Sequence, residues 1–276
     1  MTGLPAFVDT HAHLNDEQFS GDAGAVIARS AQLGVRHIIN VAFSERLWQP
    51  ALDLSRAYPG VAYTLGIHPN DAGEWSNNSR TALLTHLSRQ MPVAIGETGL
   101  DYYRDRDTRV DQVAAFEDQL DIASDFALPV VIHMRGDVEA DIRGLLARRH
   151  DVMCVFHSFE GGLELCEWIV ERGWMIGAGG LMSRRSAKTL RACLATVPID
   201  QLLLETDSPY LAPTGWPEKR NSPESIPIVA GHLARLLEAP LEEVALRTTA
   251  NADRVFGLSR WFDAAGQSIS SRSADG

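Results

Sequence analysis

Short runs rich in β-branched residues alternate with helical segments along the whole chain, and this alternation most constrains the fold. Strands are predicted at 6–11, 37–42, 61–67, 93–96, 130–133, 152–157, 175–178 and 201–205. Helices are predicted near 24–33, 47–57, 79–90, 109–127, 137–149, 162–172, 186–196 and 225–238. Such alternation is typical of repeated βαβ units, which build parallel sheets.

Eight strands and eight helices in a chain of 276 residues favour an α/β protein with a closed (β/α)₈ TIM barrel in a single domain. An open doubly wound sheet is the alternative, but neither a Gly-x-Gly-x-x-Gly nor a Walker-type loop follows any predicted strand. We expect the barrel domain to span residues 1–258, with a terminal helix pair within 240–256. A flexible tail is expected at 259–276, where Ser, Ala, Asp and Gly predominate.

The fourth predicted helix has the clearest helical period. Its apolar face is formed by Val113, Phe116, Leu120, Ala123 and Ala127. The helix is expected to end before Pro129, because proline cannot continue a helix and restricts the residue before it.

Composition limits the functional classes. The formal net charge of −11 argues against a broad electrostatic surface for nucleic acid, but not against a local basic patch or bound cations that attract phosphate. No apolar run approaches the roughly 18 residues of a membrane helix, and no signal peptide is visible, so no membrane partner is expected. The three cysteines form no Cys-x-x-Cys pair and indicate a reducing, cytoplasmic location.

Histidines are concentrated at the carboxyl ends of the predicted strands. Five of the nine lie there, namely His11, His13, His68, His133 and His157. Barrel active sites are built on that face. His11 and His13 are one residue apart, so an extended backbone directs both rings to the same side.

Carboxylates show the same bias. Glu97 follows an apolar strand between Gly96 and Gly99, and Asp207 ends another apolar strand. A carboxylate at the mouth of a buried strand is costly unless a cation or hydrogen bonds compensate it. Taken alone, a strand-end Asp caps the next helix more often than it binds metal.

Together these residues predict a centre for two divalent ions. The predicted ligands are His11, His13, Glu97, His133, His157 and Asp207. Glu97 has two oxygens and would bridge the ions, and Asp207 would act as general base toward a water. The ions are expected to be Mg²⁺, Mn²⁺ or Zn²⁺, since imidazole ligands suit Zn²⁺ or Mn²⁺ better than Mg²⁺.

Several motifs resemble those of the TatD family of metal-dependent deoxyribonucleases, and the resemblance spans residues 7–256. The motifs are Asp9-Thr10-His11-Ala12-His13, Gly66-Ile67-His68-Pro69, Gly96-Glu97-Thr98-Gly99-Leu100-Asp101, Ile132-His133-Met134-Arg135, His157-Ser158-Phe159, Glu205-Thr206-Asp207-Ser208-Pro209-Tyr210, Arg220-Asn221 and Thr249-Ala250-Asn251. The resemblance implies a TIM barrel of the amidohydrolase-like group that hydrolyses DNA phosphodiester bonds with divalent metal.

By position, the resemblance implies that His11, His13 and Asp207 bind one ion. It assigns His133 and His157 to the second ion, with Glu97 shared between the two ions. We expect Asp207 and Glu97 to be the catalytic residues. His68 would contact a phosphate or lie in the outer shell, and a purely structural turn at His68-Pro69 is an equal alternative.

Two positions depart from the family pattern. Glu160 stands where many members have Ser or Thr, and Ser222 stands where they tend to have Glu. An added carboxylate near the sixth strand would weaken phosphate binding or recruit another cation. These departures put the substrate preference in doubt.

Basic and aromatic residues of the loop face are candidates for holding a substrate. The basic ones are Arg104, Arg106, Arg135, Arg184, Arg185, Lys188, Lys219 and Arg220, and the aromatic ones are Tyr102, Tyr103, Tyr210 and Trp216. Arg135 lies two residues after His133, so its side chain should point to the same side of the strand and reach a phosphate. Tyr102 is expected to contact the substrate. Most of the other charged side chains are expected to be solvated, and at least half of the aromatic rings are expected to pack in the core.

Three functions are therefore considered. The first is exonucleolytic trimming of DNA from a 3′ end, by a protein expected to be monomeric. The second is hydrolysis of an ester or amide, for example in aminoacyl-tRNA or a small cyclic amide, because the same ions polarise a carbonyl. The third is a non-catalytic metal-binding scaffold, which the complete ligand set disfavours.

Overall fold

Eight parallel strands form one sheet whose spatial order follows the chain, in a computed structural model that describes residues 5–104 and 108–262. The strands are β1 (Phe7–Ala12), β2 (Val35–Ala42), β3 (Val61–Leu65), β4 (Ala94–Asp101), β5 (Val130–Arg135), β6 (Cys154–Phe156), β7 (Met175–Ala178) and β8 (Leu202–Leu204). The sheet closes because the Asp207 amide donates to His11 and the His13 amide donates to Ser208, both at 2.8 Å. The predicted barrel is confirmed, and a doubly wound sheet is excluded because its strand order would reverse.

Helices connect successive strands and lie outside them. The described residues contain α1 (Ala23–Gln32), α2 (Glu45–Ala57), α3 (Asn77–Arg89), α4 (Arg109–Asp125), α5 (Glu139–Leu146), α6 (Leu163–Glu171), α7 (Lys188–Thr196), α8 (Ile226–Leu236) and α9 (Leu241–Phe256). None of the helices in these ranges has the length and apolarity needed to cross a bilayer.

Two hydrophobic layers hold the barrel together. Its interior is filled by Val8, Ile39, Ala62, Val131, Val155, Met175 and Leu203, all buried. Residues of opposite parity, such as Ile38 and Ile132, pack outward against the helices. The interior is packed with apolar side chains and leaves no room for a polar site. In barrels of this kind, polar side chains converge above the interior, at the carboxyl end of the strands.

The amino-terminal end of the barrel is covered by α9 and by helical residues 258–262. Phe256 joins the interior cluster, Phe262 stacks on His37 at 4.2 Å, and Trp261 donates its indole hydrogen to Met91 at 3.0 Å. The predicted helix pair within 240–256 is therefore wrong, because one uninterrupted helix fills that range. The first residues of the predicted tail, 259–262, are helical, while residues 1–4, 263–276 and Arg106 lie outside the described residues.

Two element boundaries differ from the prediction for physical reasons. β4 continues past residue 96 to Asp101, because Gly96 and Gly99 adopt φ of 133° and 137° and let the strand pass close to β5. Gly99 pairs with His133, and a Cβ on Gly99 would lie 2.1 Å from the His133 carbonyl oxygen. α4 ends at Asp125, so Ala127 is exposed in a left-handed conformation and does not extend the apolar face.

Candidate metal centre

Polar side chains from six strands or strand ends meet at the carboxyl mouth of the barrel. Three of them lie within strands and four lie in the segments that follow strands. They are His11 in β1, Glu97 in β4 and His133 in β5, with His13, His68, His157 and Asp207 after β1, β3, β6 and β8 respectively. The structure thus brings together all six predicted metal ligands, with His68 beside them.

The two carboxylate oxygens of Glu97 face different groups of histidines. Its Oε1 lies 2.7 Å from Nδ1 of His133 and 2.8 Å from Nε2 of His157. Its Oε2 lies 3.4 Å from Nε2 of His11 and 3.9 Å from Nε2 of His13. A carboxylate placed between two sets of imidazoles has the arrangement required of a ligand shared by two cations.

Asp207 stands on the open side of the cluster. Its Oδ1 lies 3.2 Å from Nε2 of His13 and 3.7 Å from Nε2 of His11. The Asp207 side chain is 15% exposed, whereas that of Glu97 is 4% exposed. Asp207 is therefore better placed to meet a water, and Glu97 is better placed as an enclosed ligand.

The proximity of imidazoles and carboxylates shifts their pKa values. Burial alone would raise the pKa of Glu97, but His157 and His68 outweigh it and hold that pKa well below its ordinary value. Burial disfavours the charged form of His157, yet the adjacent Glu97 raises its pKa to about 10. For Asp207, burial is again outweighed, here by the hydrogen bond and charge of His13, so its pKa is lowered. Both carboxylates are thus ionised at neutral pH.

Unsatisfied nitrogens show that the cluster fits metal ions. Neither ring nitrogen of His11 has a hydrogen-bond partner within the described residues, although the ring is buried, and burial lowers its pKa to about 4. Buried polar atoms are rarely left unpaired. Among the predicted ligands, two sets of ligand atoms lie within 4.8 Å of one another, namely His11 with His157 and Asp207, and His11 with His13 and Glu97. A mixed imidazole and carboxylate set suits Zn²⁺ or Mn²⁺.

His68 presents a donor to the cluster. Its Nδ1 accepts a hydrogen bond from the Asn70 amide at 3.1 Å, and burial lowers its pKa to about 3. The ring is therefore neutral with its proton on Nε2, which lies 3.5 Å from Oε1 of Glu97. A protonated Nε2 can donate to a carboxylate or phosphate oxygen and cannot bind a cation.

Asp101 orients His133. Its Oδ2 lies 3.3 Å from Nε2 of His133, while its Oδ1 accepts from the amides of Tyr103 and Arg104. Burial opposes ionisation of Asp101, but the His133 hydrogen bond and these amides lower its pKa to about 2. A carboxylate in this position fixes the ring that carries the inward-facing Nδ1.

Sequence reasoning missed the residues that join β1 to β8. Asp9 is fully buried and accepts from the Thr206 amide at 3.0 Å and the Thr206 hydroxyl at 2.6 Å. Asn221 donates to the carbonyls of Thr206 at 2.9 Å and Tyr210 at 2.7 Å. These bonds fix the segment that carries Asp207. The signal available was an acidic residue, Asp9, directly after the apolar Phe7 and Val8 of β1.

Two buried glutamines of α4 were also missed. Gln119 accepts from the Ile67 amide at 2.8 Å and donates to the Thr98 hydroxyl at 2.7 Å, so it supports the turn that carries His68. Gln112 accepts from the Asp101 amide at 2.8 Å. The two glutamines are seven residues apart, which is about two helical turns, and both lie on the buried side of the helix. This spacing was the signal available in the sequence.

A cleft of about 570 Å³ opens above the cluster, and four arginines line it. They are Arg46, Arg104, Arg135 and Arg184. Among residues 5–104 and 108–262, no carboxylate forms an ion pair with any of the four, whereas seven arginines elsewhere pair with Asp or Glu. The guanidinium of Arg135 lies 4.4 Å from the ring centroid of Tyr103.

Several other predicted substrate residues do not line this cleft. Tyr102 is 7% exposed and donates its hydroxyl to Asp141 at 2.6 Å, so it belongs to the core, and its neighbour Tyr103 is 70% exposed. Arg220 pairs with Asp22 at 2.7 Å. Arg185, Lys188, Lys219 and Trp216 also lie outside the lining, whereas Tyr210 belongs to it.

The two departures from the family pattern have different surroundings. Glu160 lines the cleft. Ser222 is buried and accepts from the Glu224 amide at 3.1 Å, so it caps the short helical turn at Pro223–Ser225. Only Glu160 is therefore in a position to alter what the cleft binds.

The family model, the curated relatives and the solved structure described next all indicate the same protein family. The family model described as TatD related DNase matches residues 8–257. The chain is 35% identical over 262 residues to the 3′-5′ ssDNA/RNA exonuclease TatD of Edwardsiella piscicida, covering 91% of this chain and 100% of the relative. It is 33% identical over 253 residues to the metal-dependent hydrolase YabD of Bacillus subtilis, covering 91% and 99%. The crystal structure of the TatD homologue YjjV from Escherichia coli K12 matches with a TM-score of 0.85 at 32% identity, covering 91% and 98%.

Proposed function

This chain belongs to the TatD-related DNase family of metal-dependent hydrolases, and we propose that it is a 3′–5′ exonuclease that trims single-stranded DNA. The observation that carries the proposal is the position of the histidine and carboxylate cluster beneath four arginines that have no carboxylate partner among the described residues. The proposed polarity and strand preference are supported by the names of relatives such as the Edwardsiella enzyme.

Two divalent ions are proposed as cofactors. His11, His13 and Asp207 would hold one ion, His133 and His157 the other, and Glu97 would contribute one oxygen to each. Divalent ions bound at this position lower the pKa of a water and neutralise charge that develops on a phosphoryl group. The unpaired nitrogens of His11 and the two-sided arrangement around Glu97 support this assignment.

The chain's own groups perform the proton transfer. Asp207 is ionised and partly exposed, so its carboxylate accepts a proton from the attacking water. The water oxygen forms a bond to phosphorus, the bond from phosphorus to the 3′ oxygen breaks, and that oxygen takes a proton from solvent. His68 donates its Nε2 hydrogen to a phosphate oxygen, which fits the tautomer set by the Asn70 amide.

The arginines of the cleft hold the backbone of the substrate. A guanidinium group binds two phosphate oxygens with its planar fork, and this geometry is strongest where no carboxylate competes. Tyr103 is exposed beneath Arg135 and offers a ring on which an unpaired base can stack. A small neutral amide would use none of these groups.

Location and assembly are proposed from simpler observations. Cys154, Cys166 and Cys193 are buried free thiols, which fits a reducing cytoplasm. We propose a monomer, a state in which one chain already supplies all six predicted metal ligands and the four arginines of the cleft.

The test is cleavage of end-labelled single-stranded DNA by metal-stripped protein. Mg²⁺, Mn²⁺ and Zn²⁺ are added back singly, with Asp207→Asn as the control. We expect a ladder that shortens from the 3′ end, requires metal and is absent with Asp207→Asn.

A panel of carboxyl esters and cyclic amides is assayed with the same protein preparations. Metal-dependent turnover of this panel without DNA cleavage would replace the proposal by ester or amide hydrolysis. In that case Glu160 is the first residue to exchange for Ser, because it adds a negative charge to the cleft.

A further inference from the structure

We infer that a second cleft, beside the candidate metal centre, binds phosphates of a single-stranded nucleic acid beyond the nucleotides that occupy the centre. This inference rests on the proposed nuclease function. The second cleft has a volume of about 360 Å³ and lies between the segment after β7 and helix α8. It would set how strongly the enzyme prefers longer strands over short ones.

The second cleft is basic in a chain that is acidic overall. Of its eight lining residues, four are arginines, namely Arg184, Arg185, Arg191 and Arg235, and none is Asp or Glu. The formal net charge of the chain is −11, so such a grouping departs from the composition of the whole. Within the part of the chain that the structure describes, none of these arginines forms an ion pair with a carboxylate.

Hydrogen bonds fix the shape of the second cleft before any ligand binds. Arg191 donates to the carbonyls of Met182 at 2.9 Å and Arg185 at 3.3 Å, which holds the segment that carries Arg184 and Arg185. The Thr214 amide donates to the Ser183 hydroxyl at 2.8 Å and joins this segment to the one after β8.

His232 holds Arg235 in place on the other side. Its Nε2 donates to the Thr214 carbonyl at 2.9 Å, and its Nδ1 accepts from Nη2 of Arg235 at 2.9 Å. His232 therefore orients the guanidinium of Arg235 and leaves the remaining N–H groups of Arg235 for a ligand. Positioned guanidinium groups without competing carboxylates favour phosphate oxygens.

Arg184 connects the two clefts. It lines both the cleft above the metal centre and the second cleft. A strand whose end lies at the metal centre therefore meets Arg184 and then the group formed by Arg185 and Arg235. Because the lining of the second cleft contains no Phe, Tyr or Trp, the second cleft recognises the backbone and not the bases.

The test compares oligothymidylates of about 3 and about 12 nucleotides as substrates of the metal-loaded protein. The variant is Arg185→Glu/Arg235→Glu, and the matched control is Arg36→Glu/Arg89→Glu, whose sites at the start of β2 and the end of α3 are exposed. Both variants change the net charge equally, from −11 to −15. A second variant, Arg185→Gln/Arg235→Gln, removes both guanidinium groups and their positive charge without adding negative charge.

We expect kcat/KM for the long substrate to fall about tenfold in both cleft variants, and kcat/KM for the short one to stay within about twofold. The dependence of log kcat/KM on log salt concentration should weaken by about 0.7 for each phosphate that the variant no longer binds. An equal decrease for both substrates, or the same decrease in the control, would overturn the inference. Absence of DNA cleavage by the wild-type protein would instead overturn the proposed function on which it rests.

Discussion

Glu97 is the residue on which the candidate metal centre most depends, because its two oxygens face separate groups of imidazoles. Five histidines lie within 4 Å of its carboxylate, namely His11, His13, His68, His133 and His157, of which His133 is the nearest at 2.7 Å. Removing the negative charge would leave these rings without their common partner. Substitution at Glu97 should therefore affect both ion sites together.

Glu97→Gln tests this dependence with almost no change in side-chain volume. We expect loss of both ions and a fall in turnover of at least about 100-fold, because one neutral amide oxygen replaces two charged ligand atoms. Metal content measured by elemental analysis, together with DNA turnover, checks the result. Glu160→Gln is the matched control in the same cleft and should keep its ions. Full metal content in Glu97→Gln would contradict the shared-ligand assignment.

Arg135 is the basic residue of the cleft that the sequence singled out in advance. Arg135→Ala should lower kcat/KM for DNA by at least about tenfold while metal content persists, because a phosphate loses a bidentate donor. Arg135→Lys should recover only part of the loss, since an ammonium keeps the charge but lacks the planar fork. Arg89→Ala, at the far end of the barrel, provides the control, and unchanged turnover of Arg135→Ala would remove it from the site.

At the scale of elements, the strand ends were predictable and the strand lengths were not. Placing His133 and Asp207 at strand ends required only the apolar runs before them and the topology of a barrel. The predicted fourth strand ended at residue 96, whereas β4 continues to Asp101 because the positive φ angles of Gly96 and Gly99 permit a close approach to β5. A glycine can end a strand or permit close contact with an adjacent strand. Which of the two occurs depends on the adjacent strand, and the local sequence does not reveal that strand.

Supporting contacts were unpredictable for a related reason. Tyr102 and Tyr103 are adjacent aromatic residues, and which one enters the core is decided by Asp141, 39 residues away from Tyr102 along the chain. Asp9 bonds Thr206 across 197 residues. Such partners come together only when the barrel closes. This explains why the sequence indicated the candidate ligands at the strand ends but not the residues that support them.

Gly99→Ala tests the role assigned to the glycine of β4. The new Cβ would meet the His133 carbonyl and would hold the residue at φ of 137°, so we expect the free energy of unfolding to fall by about 2–4 kcal/mol. Displacement of His133 should also lower metal affinity. Gly144→Ala is the control, because a Cβ there has no neighbour within 4 Å, and it should raise helix stability by about 0.5–1 kcal/mol. Chemical denaturation of both variants gives the comparison.

At the scale of the whole molecule, an acidic protein concentrates basic side chains around its candidate site. The chain carries 36 acidic and 25 basic residues, yet four arginines without a carboxylate partner in the described ranges gather around the cleft that holds Glu97 and Asp207. A net negative surface repels nucleic acid over distances up to about the Debye length, so we expect capture to depend on the cleft and on the divalent cations proposed for it. This reconciles an acidic protein with a polyanionic substrate and accords with the limited basic patch that the composition left open.

The same centre connects opposite sides of the barrel, so ion binding should stabilise the whole fold. The candidate ligands come from β1, β4 and β5 and from the segments after β1, β6 and β8, while the apolar interior is independent of them. Metal-stripped protein should therefore remain folded but melt at a lower temperature, and each tenfold rise in free ion above its Kd should add about 1.4 kcal/mol for each ion bound. That increment corresponds to a rise in Tm of about 3–6 °C for a domain of this size. Calorimetry of wild type and Glu97→Gln across a Mn²⁺ series measures it, and an equal rise in Glu97→Gln would place the ions elsewhere on the molecule.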